Sequence, residues 1–130
     1  MNRIERKFVV GSRPKIVVAV ASADLVVVEG DPGIVTVVVD GQERDIDLFD
    51  VEQTGDVVSV RSARGGGWWA RRGVMIRMAI PAGAVFDGQA ASGDLRIAAA
   101  VSDVEIRVAS GDVDLASCSG RARIKSASGD

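Results

Sequence analysis

The stretch RSARGGGWWARRG (61–73) gathers Arg61, Arg64, Arg71 and Arg72 around Trp68 and Trp69 and contains no acid. Arginine beside tryptophan is the composition of a surface that stacks on nucleobases or grips an anionic glycan. Arg64, Trp68, Trp69, Arg71 and Arg72 are therefore the candidate binding residues. The plainer alternative is a hairpin loop between strands at 57–62 and 74–80, with one Trp folded over an end of the structure. Adjacent strand residues face opposite ways, so both rings are buried only if the loop is irregular.

A second candidate is periodic. The tetrapeptide ASGD stands at 91–94, 109–112 and 127–130, placing Asp94, Asp112 and Asp130 eighteen residues apart. A line of like charges raises the question of a bound cation. Calcium β-rolls use a nine-residue unit of the form G-G-x-G-x-D-x-U-x. Here a single Gly precedes each Asp and the paired glycines are missing. The alternative is that each Asp accepts backbone N–H groups at a corner that requires Gly.

The rest of the reactive inventory is thin. There is no His and no Tyr, so Ser-His and Cys-His nucleophilic chemistry and imidazole-ligated metals are excluded. Cys118 is the only cysteine, which rules out an internal disulfide. It occupies the repeat position of Ala100, Ala109 and Ala127 and reads as a small corner residue. Ser92, Ser110, Ser119 and Ser128 recur with the repeat and read the same way. The carboxylates alternate with arginines and lack an aromatic cleft, which disfavours glycoside hydrolysis. The expectation is a non-enzyme without a cofactor.

The elements that position these residues follow from composition and period. The chain has 130 residues, 47% of them hydrophobic, with fifteen Gly and three Pro. That length suits one domain, and the mixture favours β-strands broken by tight turns. A net charge of -2 gives no general reason to bind nucleic acid or an acidic membrane. MNRIERKFVV has no apolar signal-peptide core, and no stretch is long enough to span a bilayer, so the expected location is the cytoplasm.

In the first half, KIVVAVA (15–21), LVVVEG (25–30), IVTVVVD (34–40), VVSVRS (57–62) and VMIRMAIP (74–81) read as strands. Asp31-Pro32-Gly33 and Thr54-Gly55-Asp56 read as turns, and Asp45, Asp47, Asp50 and Glu52 as the polar face of a half-buried strand.

The second half is a repeat of nine: DLRIAAAVS (94–102), DVEIRVASG (103–111), DVDLASCSG (112–120) and RARIKSASG (121–129). Leu95, Val104, Val113 and Ala122 share one apolar place, and Ile97, Ile106, Leu115 and Ile124 the next. Two units make an eighteen-residue coil, in which residues i and i+18 stack about 4.8 Å apart. Arg96 then lies over Asp114, Glu105 over Arg123 and Asp103 over Arg121, against one like-charged pair, Arg107 over Lys125. The predicted fold is all-β: a parallel β-solenoid over 84–130, preceded by an antiparallel strand region, 1–83, that caps it.

The repeated S-G-D-V-x-[IL] unit resembles the bacterial "putative adhesin" domain of unknown function, a β-solenoid family. Val20-Ala21-Ser22-Ala23-Asp24-Leu25 looks like that family's first SGD element, and the segment from Val74 to Gly83 like its strand ending in Pro-x-Gly. The resemblance implies an adhesin-like, non-catalytic role and carries no catalytic residues. The coil count breaks off at Asp130, which reads as a fragment of a longer protein, as an end crossed by the basic Gly-Trp loop, or as an open coil edge suited to pairing. The first functional expectation is thus a scaffold that associates with itself through the open C-terminal coil, or with an envelope-related partner. The alternative is a binding module for an anionic polymer, glycan or nucleic acid, through the Gly-Trp-Arg loop, and after it a calcium-binding β-roll.

Overall fold

A computed structural model of the chain describes residues 2–11, 13–22, 24–41, 49–62 and 75–126. Apolar residues at alternate positions, many of them valine and isoleucine, favour extended backbone. The strands are β1 (Asn2–Val9), β2 (Lys15–Ser22), β3 (Asp24–Glu29), β4 (Ile34–Gly41), β5 (Phe49–Thr54) and β6 (Val57–Ser62). They continue with β7 (Met75–Ile80), β8 (Val85–Ser92), β9 (Leu95–Val101), β10 (Val104–Ser110), β11 (Val113–Cys118) and β12 (Ala122–Ser126).

These strands form two six-stranded sheets, ordered β1-β4-β7-β3-β9-β11 and β12-β10-β8-β2-β6-β5. Both are mixed. β7, β3, β9 and β11 run parallel, while β4 joins β7, and β1 joins β4, in antiparallel fashion. In the other sheet β12, β10, β8, β2 and β6 are parallel, and β5 closes the edge as an antiparallel hairpin with β6.

The all-β class matches the sequence expectation, but a parallel solenoid entered through an antiparallel cap does not. β2 and β3 come from the N-terminal half and lie inside the sheets, between β6 and β8 and between β7 and β9. The reason is that they carry the repeat's own features. Ile16, Val18 and Val20, then Leu25 and Val27, alternate inward, and Asp24 supplies the corner acid. Its Oδ1 accepts the backbone N–H of Asp94 at 3.0 Å, across 70 residues of chain. After β3 the chain builds β4 to β7 and returns at β8 to stack on β2.

The eighteen-residue register is present where the C-terminal strands meet. Val104 pairs with Phe86 on one side and Ala122 on the other, and Leu95 with Val113. It slips once, between Leu115 and Ser117, so Cys118 stands opposite Val101 and not opposite Ala100 as the repeat alignment places it. The core fills the space between the sheets with inward-facing residues such as Ile16, Val37, Val60, Ile76, Phe86, Ile97 and Ile106, all essentially inaccessible. Gly88 faces that core because the Phe86 ring occupies its place: an added Cβ would lie 2.7 Å from Phe86 Cε1.

Candidate functional site

Arg64, Trp68, Trp69, Arg71 and Arg72 fall within 63–74, outside the described residues. What flanks them is clear. β6 belongs to one sheet and β7 to the other, so 61–73 connects two sheets and is not the loop of a 57–62/74–80 hairpin. A hairpin reading assumes that consecutive strands pair, whereas a chain that alternates between sheets pairs strands a coil apart.

The corner aspartates are used by the backbone. Asp94 Oδ1 accepts the N–H of Asp112 at 3.1 Å, as Asp24 accepts that of Asp94. In the other corner row Asp103 Oδ1 accepts the N–H of Arg121 at 2.8 Å. Each carboxylate thus ties the corner before one strand to the corner before its sheet neighbour, the structural alternative read from ASGD. Gly93 and Gly111 have φ of 125° and 137°, a region open essentially to glycine. At Gly111 a Cβ would also overlap the carbonyl oxygen of Gly93. Among the described residues no group of three or more His, Cys, Asp or Glu side chains is placed to hold a metal ion. Asp130 lies outside the described residues.

The charged ladders follow the eighteen-residue register with one rearrangement. Arg96 meets Asp114 at 3.7 Å, with both side chains exposed. Arg107 stands beside Lys125, and its guanidinium turns instead to Glu105 of its own strand, at 3.1 Å. That contact relieves the like-charge stack. At the far end Arg3 donates to Asp40 at 2.7 Å, and this bond, with the carboxylate's charge, raises the arginine pKa above its ordinary value.

The arrangement has two ends. β11 and β12 close the sheets at one end, and β1 and β5 at the other. Gln53 Nε2 donates to the carbonyl of Val9 at 2.7 Å, which ties β5 to the end of β1. At the β11–β12 end the inward columns lose their cover. Phe86 and Val104 are buried and Ala122 below them is exposed; Ile106 is 0% exposed and Ile124 is 44%. Val113 and Leu115 of β11 are half-buried against the core. Among the described residues β11 and β12 are edge strands with inward apolar side chains left partly uncovered, and such an edge is chemically a template for another strand.

Beside this end lies an open groove of about 830 Å³, lined in part by Lys15, Asp87, Asp103, Glu105, Arg121 and Arg123. Cations and carboxylates are interspersed along it, so it presents no single sign to a charged polymer. Which charged residues stand on sheet edges is not readable from the sequence, because edge positions are known only once the sheet order is known. Among the described residues, no helix is long and apolar enough to cross a membrane.

No protein-family model and no curated protein matches the chain. Solved structures do. A "putative cell adhesion protein" from Clostridium sporogenes superposes with a TM-score of 0.61 at 8% identity, covering 89% of this chain and 63% of its own. The likeness is one of fold. This chain spans less than two thirds of that relative's length. A "putative adhesin" from Bacteroides fragilis gives a TM-score of 0.48 at 10% identity, covering 96% of this chain and 97% of its own. The resemblance read from the S-G-D-V units therefore meets, in fold, a bacterial structure described in terms of adhesion.

Proposed function

We propose that the protein is a non-catalytic, adhesin-like scaffold that works by self-association through its β11–β12 end. The observation that carries this reading is the step from Ile106, 0% exposed, to Ile124, 44% exposed, in one column of adjacent strands. Burial of that apolar residue needs another layer, and the strand edges beside it supply the hydrogen-bonding groups to receive one. The shared fold with a cell-adhesion-named structure supports the non-catalytic part of the reading. A second copy suits this end better than an unrelated envelope partner, because the exposed edge is the molecule's own repeat and a β-edge is best matched by another β-edge.

The test is solution mass by light scattering over a concentration series, for the wild-type chain and for Ile124→Asp. Mass that grows with concentration, and stays monomeric in a folded Ile124→Asp, is the expected result. A wild-type chain that is monomeric throughout overturns the reading.

A further inference from the structure

Resting on that reading, we infer that the occupant of the β11–β12 end is the β1–β5 end of a second copy, so that molecules stack head to tail. The argument is the charge carried outward by the four edge strands. β12 presents Arg123 and Lys125 two residues apart, on the face away from the core, since Ala122 and Ile124 share register with buried Val104 and Ile106. β5 presents Asp50 and Glu52 at the same spacing, outward because Val51 pairs with buried Val60. All four side chains are accessible or half-accessible, and among the described residues none is in an ion pair.

Strand direction permits the match. β12 runs parallel to β6 through the intervening strands, and β5 runs antiparallel to β6, so a second copy stacked in line brings its β5 antiparallel to β12. In that arrangement Arg123 faces Glu52 when Lys125 faces Asp50, and the same register brings exposed Ile124 beside half-buried Val51. The other sheet permits the same stacking. β11 shows Asp114 outward, and β1 shows Glu5 and Lys7, with Arg3 already bonded to Asp40. Setting Asp114 beside Lys7 puts Leu115 beside Phe8, each of which packs only partly against its own core.

The symmetric alternatives fit less well. β12 on β12 sets cations on cations, and β5 on β5 sets carboxylates on carboxylates, at cross-strand distances where like charges repel. A crosswise dimer of β11–β12 ends offers the two β12 cations the one acid of β11, Asp114, where β5 offers two, Asp50 and Glu52. A head-to-tail contact between copies stacked in line does not close on itself, so it generates filaments, not dimers.

A charge exchange tests this. One variant carries Asp50→Lys and Glu52→Lys, the other Arg123→Glu and Lys125→Glu. The second exchanges one cross-strand repulsion, at Arg107, for another, at Glu105, leaving the fold little changed; a thermal melt of each variant checks this. If a melt drops, Asp50→Asn/Glu52→Gln and Arg123→Gln/Lys125→Gln replace the reversals, each expected to slow growth. Wild type is expected to grow with concentration, and to grow less as salt rises. Each variant alone is expected to stay monomeric and the equimolar mixture to regain growth, because each reversed end then meets its complement. A β5 variant that assembles like wild type, or stops at a dimer, overturns the head-to-tail contact and leaves association through β11–β12 standing. A wild-type chain that never assembles overturns both.

Discussion

Ile106 and Ile124 occupy the same place in the repeat and lie side by side in β10 and β12, yet the first is fully buried and the second is nearly half exposed. The repeat therefore specifies a strand, a register and an inward direction, but not burial. Burial comes from having a layer on both sides. The inner strands β8 to β10 have those neighbours, whereas β12 stands at the edge of its sheet among the described strands. The sharpest way to break this comparison is to truncate both isoleucines. Ile106→Ala is expected to cost about 2–5 kcal/mol through lost burial and the cavity left behind. Ile124→Ala should cost less than about 1 kcal/mol in the monomer. Urea denaturation at a concentration below any assembly measures both, and equal costs would mean that the last strand is covered.

Glycines sharpen the same contrast between stacked and unstacked positions. Gly83 and Gly111 both have positive φ, but a Cβ at Gly83 meets nothing within 4 Å, whereas one at Gly111 overlaps the neighbouring coil at Gly93. Strain of the backbone alone is worth about 1–3 kcal/mol. Gly83→Ala is expected within that range and Gly111→Ala above it, by thermal unfolding. A Gly111→Ala no worse than Gly83→Ala would show that the corners do not pack coil on coil.

The aspartates come next in size. Asp94→Ala removes the acceptor for the Asp112 N–H and should cost about 1 kcal/mol, the usual net value of such a bond. Asp94→Asn keeps an oxygen there and should recover most of it. Faster hydrogen exchange at the Asp112 amide in Asp94→Ala, and not in Asp94→Asn, would separate a lost corner bond from a general loss of stability. If both variants melt like wild type, the corner carboxylates do not hold the coils together.

How much of this was legible follows from which forces act locally. The nine-residue period exposed the inward columns through Leu95 and Ile97, the i to i+18 register, and the corner role of Asp94, because alternation and turn chemistry are written in neighbouring residues. The place of β2 and β3 was not legible. Val20 to Leu25 matches the repeat, but the 70 residues between Asp24 and Asp94 conceal that the two corners stack. The reading of 61–73 as a hairpin failed for the same reason, since partnership between strands is set by the whole stack. The edge positions of four charged residues are hidden further still. Asp50, Glu52, Arg123 and Lys125 look like ordinary solvated charges until the sheet order makes their strands edges.

The smallest effect concerns the charge ladder that first suggested eighteen residues per coil. Arg96 and Asp114 are in register but 3.7 Å apart, with side chains 71% and 73% exposed. Water screens such a pair and both side chains lose rotamer freedom to form it, so its net contribution should be about 0.5 kcal/mol or less. A double-mutant cycle with Arg96→Ala and Asp114→Ala measures it without the separate costs of each truncation. The expected coupling is small and vanishes in high salt. A coupling well above 1 kcal/mol would mean that outward charges help hold the inner coils together. Apolar columns and corner bonds would then not act alone in holding the interior.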